Sequence, residues 1–292
     1  MASVDSQVVF ITGGAGGIGA ELARRLHAKG AKLVLTDLDR VQLETLAREL
    51  GDDRVLTVVA DVRDLAAMQS AADAAVERFG GIDTVVANAG IISHGSVLHV
   101  DPEAFRRLID VNVLGVFHTV RAALPSVIER RGYVLIVSSM AAYTAAPGLA
   151  PYNASKAGVE LFANALRLEV AHLGVAVGAA HMLWIDTPMV QDSRAEFSAF
   201  SEMLSRLPFP FNRTTSVHTC AQAFVKGIER RKRRINVPRW VAAARWLKPV
   251  FSTRVGELPV QQLVPELLPR IDAEVAALGR SVSSHTKAIE KP

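Results

Sequence analysis

The sequence predicts an α/β fold: a doubly wound parallel sheet with helices on both faces, forming one domain with a C-terminal extension. Two observations carry this expectation. The first is a strand, a glycine turn and a helix in succession near the amino terminus. The apolar run Val8 to Ile11 is followed by Thr12-Gly13-Gly14-Ala15-Gly16-Gly17-Ile18-Gly19 and then by the amphipathic segment Ala20 to Lys29, which Gly30 ends. The second is an alternation that continues down the chain. Short apolar runs at Lys32 to Thr36, Val55 to Val59, Thr84 to Ala87, Tyr133 to Val137 and Val175 to Ala180 are spaced by helical patterns at Asp64 to Phe79, Pro102 to Arg130 and Pro151 to His172. Parallel strands are covered on both faces, so they read as continuous apolar runs, and these do.

Composition agrees. With 292 residues, half of them apolar, the chain can bury one large core. Apolar runs such as Val175 to Ile185 fall short of the ~18 residues that cross a bilayer, and Met1 to Gln7 has no basic, apolar leader, so a cytoplasmic protein is expected. The lone Cys220 can form no internal disulfide and lies in a helical pattern, which suits a buried, inert thiol. No residue is assigned to a metal.

The glycine turn carries the first chemistry. Gly13, Gly17 and Gly19 let the backbone turn tightly and approach a pyrophosphate, whose charge meets the free N–H groups of a helix amino terminus. A glycine loop alone is weak evidence. It gains weight from Asp37, which ends the second strand where a carboxylate would accept hydrogen bonds from an adenine ribose.

The second stretch with chemistry runs from Ser138 to Lys156. Tyr152 and Lys156 are four apart, so with Pro151 in the first helical turn both side chains leave one face. A positive charge beside a phenol favours the phenolate and moves the group toward use as a base near neutral pH. Ser139 follows the run Tyr133 to Val137 and places a hydroxyl at the end of a strand. Most Tyr and Lys pairs on helices are surface decoration, and only the company of the glycine loop raises this one above that.

Together these residues resemble the short-chain dehydrogenase/reductase family, Rossmann-like in fold, over roughly residues 8–187. The family pattern appears as Thr-Gly-x-x-x-Gly-Ile-Gly at 12–19 and Tyr-x-x-x-Lys at 152–156. The resemblance implies that Ile18 belongs to the cofactor loop, that Asp61 and Val62 hold the adenine ring, and that Asn88-Ala89-Gly90 follows the fourth strand. It also implies that Asn112 orders a proton-relay water, and that Ile185 and Thr187 contact the nicotinamide amide. The catalytic set is then Asn112, Ser139, Tyr152 and Lys156, with Tyr152 and Lys156 also touching the cofactor. The family's Pro-Gly is replaced by Met182-Leu183, expected to point into the core. The family's substrate cover corresponds to residues 189–215, whose Phe197, Phe200, Met203, Leu204 and Leu207 recur at helical spacing and suit a hydrophobic substrate. Dimerisation or tetramerisation through helices 102–130 and 151–172 is implied as well.

Charge favours NAD over NADP, because Asp37 would repel a 2′-phosphate and neither Gly16 nor Leu38 supplies a cation; Arg40 is expected to be a solvated surface charge. The expected function is hydride transfer between NAD(H) and a hydrophobic secondary alcohol or ketone, lipid- or steroid-like, with a dinucleotide-binding sensor or scaffold as the alternative. Domain boundaries are expected at 1–238 for the catalytic domain, including the lid at 189–215, and 239–292 for a basic, apolar extension.

Residues 226–254 hold ten Lys or Arg against one acid, Glu229, a net +9 in a chain whose total is +4. No groove-reading motif accompanies the charge, so no nucleic-acid partner is expected. On a helix Trp240, Ala243, Ala244 and Leu247 would share one face, extended by Ala242 and Trp246, until Pro249 stops the run. Two readings are open: an interfacial helix in peripheral contact with an anionic membrane, or a helix packed over the substrate mouth or a partner subunit.

Overall fold

The computed structural model describes residues 3–284. Seven parallel strands form one sheet in the order β3-β2-β1-β4-β5-β6-β7. They are β1 (Val8–Thr12), β2 (Lys32–Asp37), β3 (Val55–Val59), β4 (Thr84–Ala87), β5 (Tyr133–Val137), β6 (Ala176–Met182) and β7 (Arg234–Val237). The order reverses between β1 and β4, and a crevice opens there at the carboxyl ends of the strands.

The catalytic half of the chain supplies α1 (Gly17–His27), α2 (Arg40–Leu50), α3 (Leu65–Phe79), α4 (Pro102–Ile109), α5 (Gly115–Glu129) and α6 (Ala150–Val170). Alternate residues of the strands divide between two cores. Val9, Ile11, Leu33 and Leu35 pack beneath α1 and α2, joined by Phe224 of α9 (Val217–Glu229), whereas Val8, Phe10 and Val34 pack beneath α3, α5 and α6. This two-sided burial is the reason the strands read as unbroken apolar runs. The helix starts have local causes. Asp64 and Asp101 cap α3 and α4 by accepting backbone N–H groups, and Pro102 occupies the first turn of α4.

The expected single helix over 102–130 is interrupted. A wide π turn at Asp110–Leu114 separates α4 from α5, and it brings Asn112 to a completely buried position. Gly115, just after it, is needed because a Cβ there would lie 2.6 Å from the Val62 side chain. The continuous stretch Pro102–Glu129 is long and apolar enough to cross a membrane, but half of its apolar window is buried inside the protein.

After β6 come α7 (Pro188–Glu196) and α8 (Ser198–Arg206), and after β7 come α10 (Val241–Phe251), α11 (Arg254–Gln261) and α12 (Val264–Leu278). Residues 285–292 of the expected extension lie outside the described residues. Three expectations for this region need correction. Pro249 lies inside α10 and does not end it. The buried face of α10 is Val241 and Ala244, so Trp240 is partly buried against Phe211 while Trp246 faces solvent. The basic segment is also divided: β7 runs between Arg230–Arg233 at its amino end and α10 at its carboxyl end.

One buried polar cluster fastens α6 to the sheet edge. Glu160 hydrogen-bonds His181 of β6, which is fully buried, and accepts from Arg234 of β7 at 3.2 Å and from the Tyr143 hydroxyl at 3.4 Å. The Tyr143 ring stacks on His181 at 4.6 Å. Burial works against ionisation of Glu160, but the hydrogen bond and charge of His181, with Arg234 and Tyr143, bring its carboxyl down to about 2. Removing one partner of such a group leaves the others unpaired.

Glu160→Gln is therefore expected to lower the unfolding free energy by on the order of 3 kcal/mol at neutral pH. Because the folded-state pKa is depressed, the stability that Glu160 contributes is complete above its ordinary value of 4.5 and is lost as pH falls toward about 2. Urea unfolding at a series of pH values should show the gap between variant and wild type narrowing across that window. A gap independent of pH would show that the ionised form of Glu160 is not what stabilises the cluster.

Candidate active site

The two strand ends at the reversal are welded together. The Thr12 hydroxyl accepts from the Asn88 and Ala89 N–H groups at 3.1 and 3.2 Å, and the Asn88 amide donates to the Thr12 and Gly13 carbonyls, both at 3.0 Å. The glycine loop fits closely around this joint. A Cβ at Gly13 would lie 3.0 Å from Ala89, and one at Gly19 would lie 2.0 Å from the Gly13 carbonyl oxygen. Gly17 has a φ of +50°, which favours glycine.

A cleft of about 320 Å³ follows the carboxyl ends of the strands. Gly13, Gly17, Ile18, Asp37, Asp61, Val62, Asn88, Ala89, Gly90, Tyr152, Lys156 and Thr187 all line it, as expected. Two expected residues do not. Gly19 sits behind the loop, where its lack of a side chain permits the turn, and Ile185 lines the neighbouring cavity and pairs with Thr215. The residues fit a dinucleotide. Gly16 caps α1 without a side-chain hydrogen bond and the first turn holds no acid, so the helix's positive end is open to a phosphate. At the far end, Asp37 accepts from the Ala15 N–H at 3.0 Å and the Leu38 N–H at 2.8 Å, and burial raises its pKa.

Sequence reasoning missed Arg63, which lines the cleft and pairs with Asp61 at 2.6 Å. Arg40, by contrast, does not line the cleft; it is exposed and lies 3.8 Å from Glu44 of its own helix.

Of the four polar residues expected for catalysis, Tyr152 and Lys156 line the cleft, Ser139 lines a neighbouring cavity, and Asn112 is buried behind Gly90. Lys156 is 96% buried and donates from Nζ to the Val137 carbonyl at 3.0 Å, with Nζ 5.6 Å from the centre of the Tyr152 ring. Burial pushes its ammonium down to about 8. The Ser138 hydroxyl, buried beside it, donates to the Lys156 carbonyl at 2.9 Å and holds that turn of α6 to the end of β5. Gly90 makes the approach possible, because a Cβ there would stand 3.2 Å from Asn112 Oδ1 and 3.4 Å from Lys156 Nζ. The Asn112 side chain bridges three groups, accepting from the Ile91 N–H at 2.8 Å and donating to the Ile91 carbonyl at 2.9 Å and to Ser155 Oγ at 3.1 Å.

The Tyr152 phenol departs from expectation. Burial raises its pKa, with the Ser139 hydroxyl acting in the other direction. Lys156 does not reverse this, because its ammonium lies over the ring and is directed at the Val137 carbonyl. Desolvation of the phenolate outweighs attraction to the lysine in this arrangement.

Beyond Tyr152 lies a second cavity of about 130 Å³, lined mainly by apolar side chains. Ser139, Tyr152, Met182 and Thr187 stand in its wall, and the last three also line the cleft. Met182 and Leu183 both face this cavity, a correction to the expectation that they point only into the core. They replace a family Pro-Gly with two flexible apolar walls.

The roof combines two distant parts of the chain. Phe197, Phe200, Met203 and Leu204 around α8 pack against Leu263, Leu267, Ile271 and Val275 from the C-terminal extension, with Tyr152, Trp184 and Met189 at the margin. Arg206 and Arg270 bridge Glu202 and Glu266 across the seam, and Glu274 accepts from the Ala199 N–H. The four-residue spacing of 263, 267, 271 and 275 was a readable helical stripe. His94 was missed too. It is buried between Phe197 and Phe200, its Nε2 lies 3.1 Å from Ser193 Oγ, and its Nδ1 has no partner. Since Ser193 Oγ donates to the Met189 carbonyl, Nε2–H donates to Ser193, and burial pushes the imidazole down to about 3. Neutral His94 thus ties the loop after β4 to α7. Cys220 is buried, its thiol pushed up to about 12.

Comparison with known proteins agrees with this site. The profile of the short chain dehydrogenase family matches residues 7–197. The chain is 32% identical to (-)-trans-carveol dehydrogenase of Rhodococcus erythropolis, over 74% of this chain and 90% of that protein. It is 32% identical to 11-beta-hydroxysteroid dehydrogenase 1A of Arabidopsis thaliana, over 80% of this chain and 69% of the relative. Among solved structures, 3-ketoacyl-(acyl-carrier-protein) reductase from Brucella melitensis, complexed with NADH, superposes with a TM-score of 0.70 at 30% identity, covering 80% of this chain and 98% of that one. Actinorhodin polyketide ketoreductase with NADPH gives 0.72 at 30% identity, covering 81% and 97%. With the family profile matched over residues 7–197 and solved reductases of 30% identity sharing the fold, the chain belongs to the short-chain dehydrogenase/reductase family and is an oxidoreductase that uses a nicotinamide cofactor.

Proposed function

We propose that this oxidoreductase is a cytoplasmic NAD-dependent enzyme that interconverts a hydrophobic secondary alcohol and its ketone, with Asn112, Ser139, Tyr152 and Lys156 as its catalytic set. The observation that carries the reading is that Tyr152 stands in the shared wall of the polar cleft and the apolar cavity, beside Ser139. An alcohol seated in the cavity would meet the Ser139 and Tyr152 hydroxyls at its polar end and a mainly apolar wall elsewhere, interrupted by Thr144 and Thr187. The carveol and hydroxysteroid dehydrogenases among the relatives support an apolar alcohol over a sugar.

A bound nicotinamide supplies the hydride acceptor. The chain's own residues handle the proton. Tyr152 takes the hydroxyl proton as the carbon–hydrogen bond breaks, and Ser139 donates a hydrogen bond to the oxygen as it becomes a carbonyl. Lys156 would hold the nicotinamide ribose, and its charge would favour the phenolate once its ammonium turns from the Val137 carbonyl toward the phenol. Asn112 fixes Ile91 and Ser155 around Lys156, which supports its role in a proton path to solvent. Asp37, Asp61 and Val62 would hold the adenosine. NAD is the better fit because Asp37 meets the 2′ position while Arg63 is already paired with Asp61. The outward faces of α5 and α6 expose Phe117, Leu161 and Leu168, which supports a homodimer or homotetramer through these helices. Residues 189–215 would act as the lid, with α12 packed behind α8, and part of 226–254 would make a peripheral membrane contact.

A turnover screen over steroids, retinoids, cyclic and aliphatic alcohols and sugars, read by NADH absorbance, tests the assignment. Apolar secondary alcohols should turn over and sugars should not. Loss of turnover with every class would return weight to a sensor. Tyr152→Phe should lower kcat by a factor of about 10² to 10⁴ and leave NAD affinity within a few-fold, since the phenol acts in the transition state. Lys156→Ala should damage both. A Tyr152→Phe enzyme with wild-type kcat would remove the proton path from consideration.

Wild type should favour NAD over NADP in kcat/KM by at least about tenfold, the equivalent of ~1.4 kcal/mol. Asp37→Ala should weaken NAD and shrink that ratio, because it removes hydrogen bonds to the ribose and a repulsion from a 2′-phosphate. Equal kcat/KM for the two cofactors in the wild type is the outcome that excludes an NAD enzyme.

A further inference from the structure

Helix α10 is apolar on both sides. Its inner face, Val241 and Ala244, packs on Met140, Ala142 and Tyr143. At about 100° per residue, the opposite face carries Ala242, Ala243, Trp246, Pro249 and Val250, with Leu247 at its edge. A surface helix ordinarily turns polar residues outward. Here Trp246 is 75% exposed, and Val250 and Leu247 are exposed beside it. The following helix α11 adds Val255, also 75% exposed, and Leu258. Gly256 holds the two helices together, since a Cβ there would lie 2.1 Å from the Val250 carbonyl oxygen.

The charge around this face is mainly positive. Arg239, Arg245 and Arg254 border it, and the sequence contains no Asp or Glu from 230 through 256; Glu257, between Val255 and Leu258 in sequence, is the acid of α11. Arg245 lies over the Trp246 ring at 4.8 Å, and Lys248 donates to the Ala142 carbonyl at 3.2 Å.

We propose that the outward face of α10 and α11 docks on an anionic lipid bilayer, with Trp246, Val250, Val255 and Leu258 in the acyl boundary and the flanking arginines among the headgroups. Tryptophan and aliphatic side chains bordered by basic residues are the pattern of an in-plane membrane helix. A second copy of the chain fits less well, because a two-fold contact would set Arg239, Arg245 and Arg254 against the same cations with Glu257 as the one acid of α10 and α11. An anionic surface satisfies the apolar face and the charge together.

Docking also sets the bilayer close to the substrate. Met140 lies under α10 and lines the apolar cavity, and Leu183 does the same, so one layer of side chains separates the membrane-facing helix from the cavity. That a lipid-dissolved alcohol enters there rests on the function proposed above. The docking itself does not.

The test is co-sedimentation of the full chain with vesicles of equimolar phosphatidylglycerol and phosphatidylcholine, and with phosphatidylcholine alone, at low and high salt. Binding should require the anionic lipid and fade as salt screens it. Arg245→Gln with Arg254→Gln should weaken partitioning roughly 30-fold, at about 1 kcal/mol for each basic residue and about 1.4 kcal/mol per decade. Trp246→Ser with Val255→Ser should weaken it by about tenfold or more. Both double variants should keep the wild-type circular dichroism spectrum and wild-type turnover of a soluble alcohol. No pelleting with anionic vesicles at low salt, equal binding to neutral vesicles, or wild-type binding by either double variant overturns the proposal. So does self-association of the wild type that the Trp246→Ser, Val255→Ser variant abolishes, which would give the face to a second copy. Pelleting involves no turnover, so failure to dock and failure of the hydride-transfer reading are separate results.

Discussion

The strands of a parallel sheet all end at the same side, and the loops that line the cleft leave from that side, where α6 and the π turn bring Tyr152, Lys156 and Asn112. Thr12 and Gly13 leave β1, Asp37 closes β2, Asp61 follows β3, Asn88 follows β4, Ser139 follows β5 and Met182 ends β6. The reversal of strand order at β1 and β4 makes a gap between neighbouring loops, and the Thr12 and Asn88 hydrogen bonds hold that gap at a fixed width. Backbone pairing, not the site's own side chains, therefore sets where the cofactor cleft can be.

Within that frame the costliest element is Lys156. A buried ammonium without an acid among its hydrogen-bond partners is unfavourable, and its depressed pKa expresses this. The surrounding structure carries the cost. Ser138 fixes the backbone of Lys156, Gly90 leaves room for Nζ, and the π turn directs Asn112 at the adjacent loop. Tyr152 is desolvated by the same packing. Burial thus works against the charged form of both groups, lowering the lysine's pKa and raising the tyrosine's.

The C-terminal extension does two different jobs with one stretch of chain. Helix α12 packs on α8, and Arg206 and Arg270 with their glutamates seal the seam, so this apolar layer depends on residues beyond the matched family profile. Helix α10 instead braces the cavity's outer wall and leaves its other face uncovered.

The sequence by itself determined the fold class and the succession of strands, and it singled out residues most of which line the cleft, for physical reasons. Short apolar runs alternating with helical patterns suit strands covered on both faces, and glycines at 13 and 17 have local backbone causes that need no partner to be seen. What tertiary structure alone decided was every question of which side chain faces what. Gly19 and Ile185 fell outside the cleft because packing behind a loop is not a local property. Met182 and Leu183 became cavity walls because they stand at the carboxyl end of β6, where the strand opens onto the cavity. The ionisation of Tyr152 was misjudged from spacing, since four residues on a helix fix a separation but not the direction of an ammonium or the depth of burial. The basic segment looked like one patch because sequence counts charges along the chain, whereas β7 carries its two halves to opposite ends of the sheet.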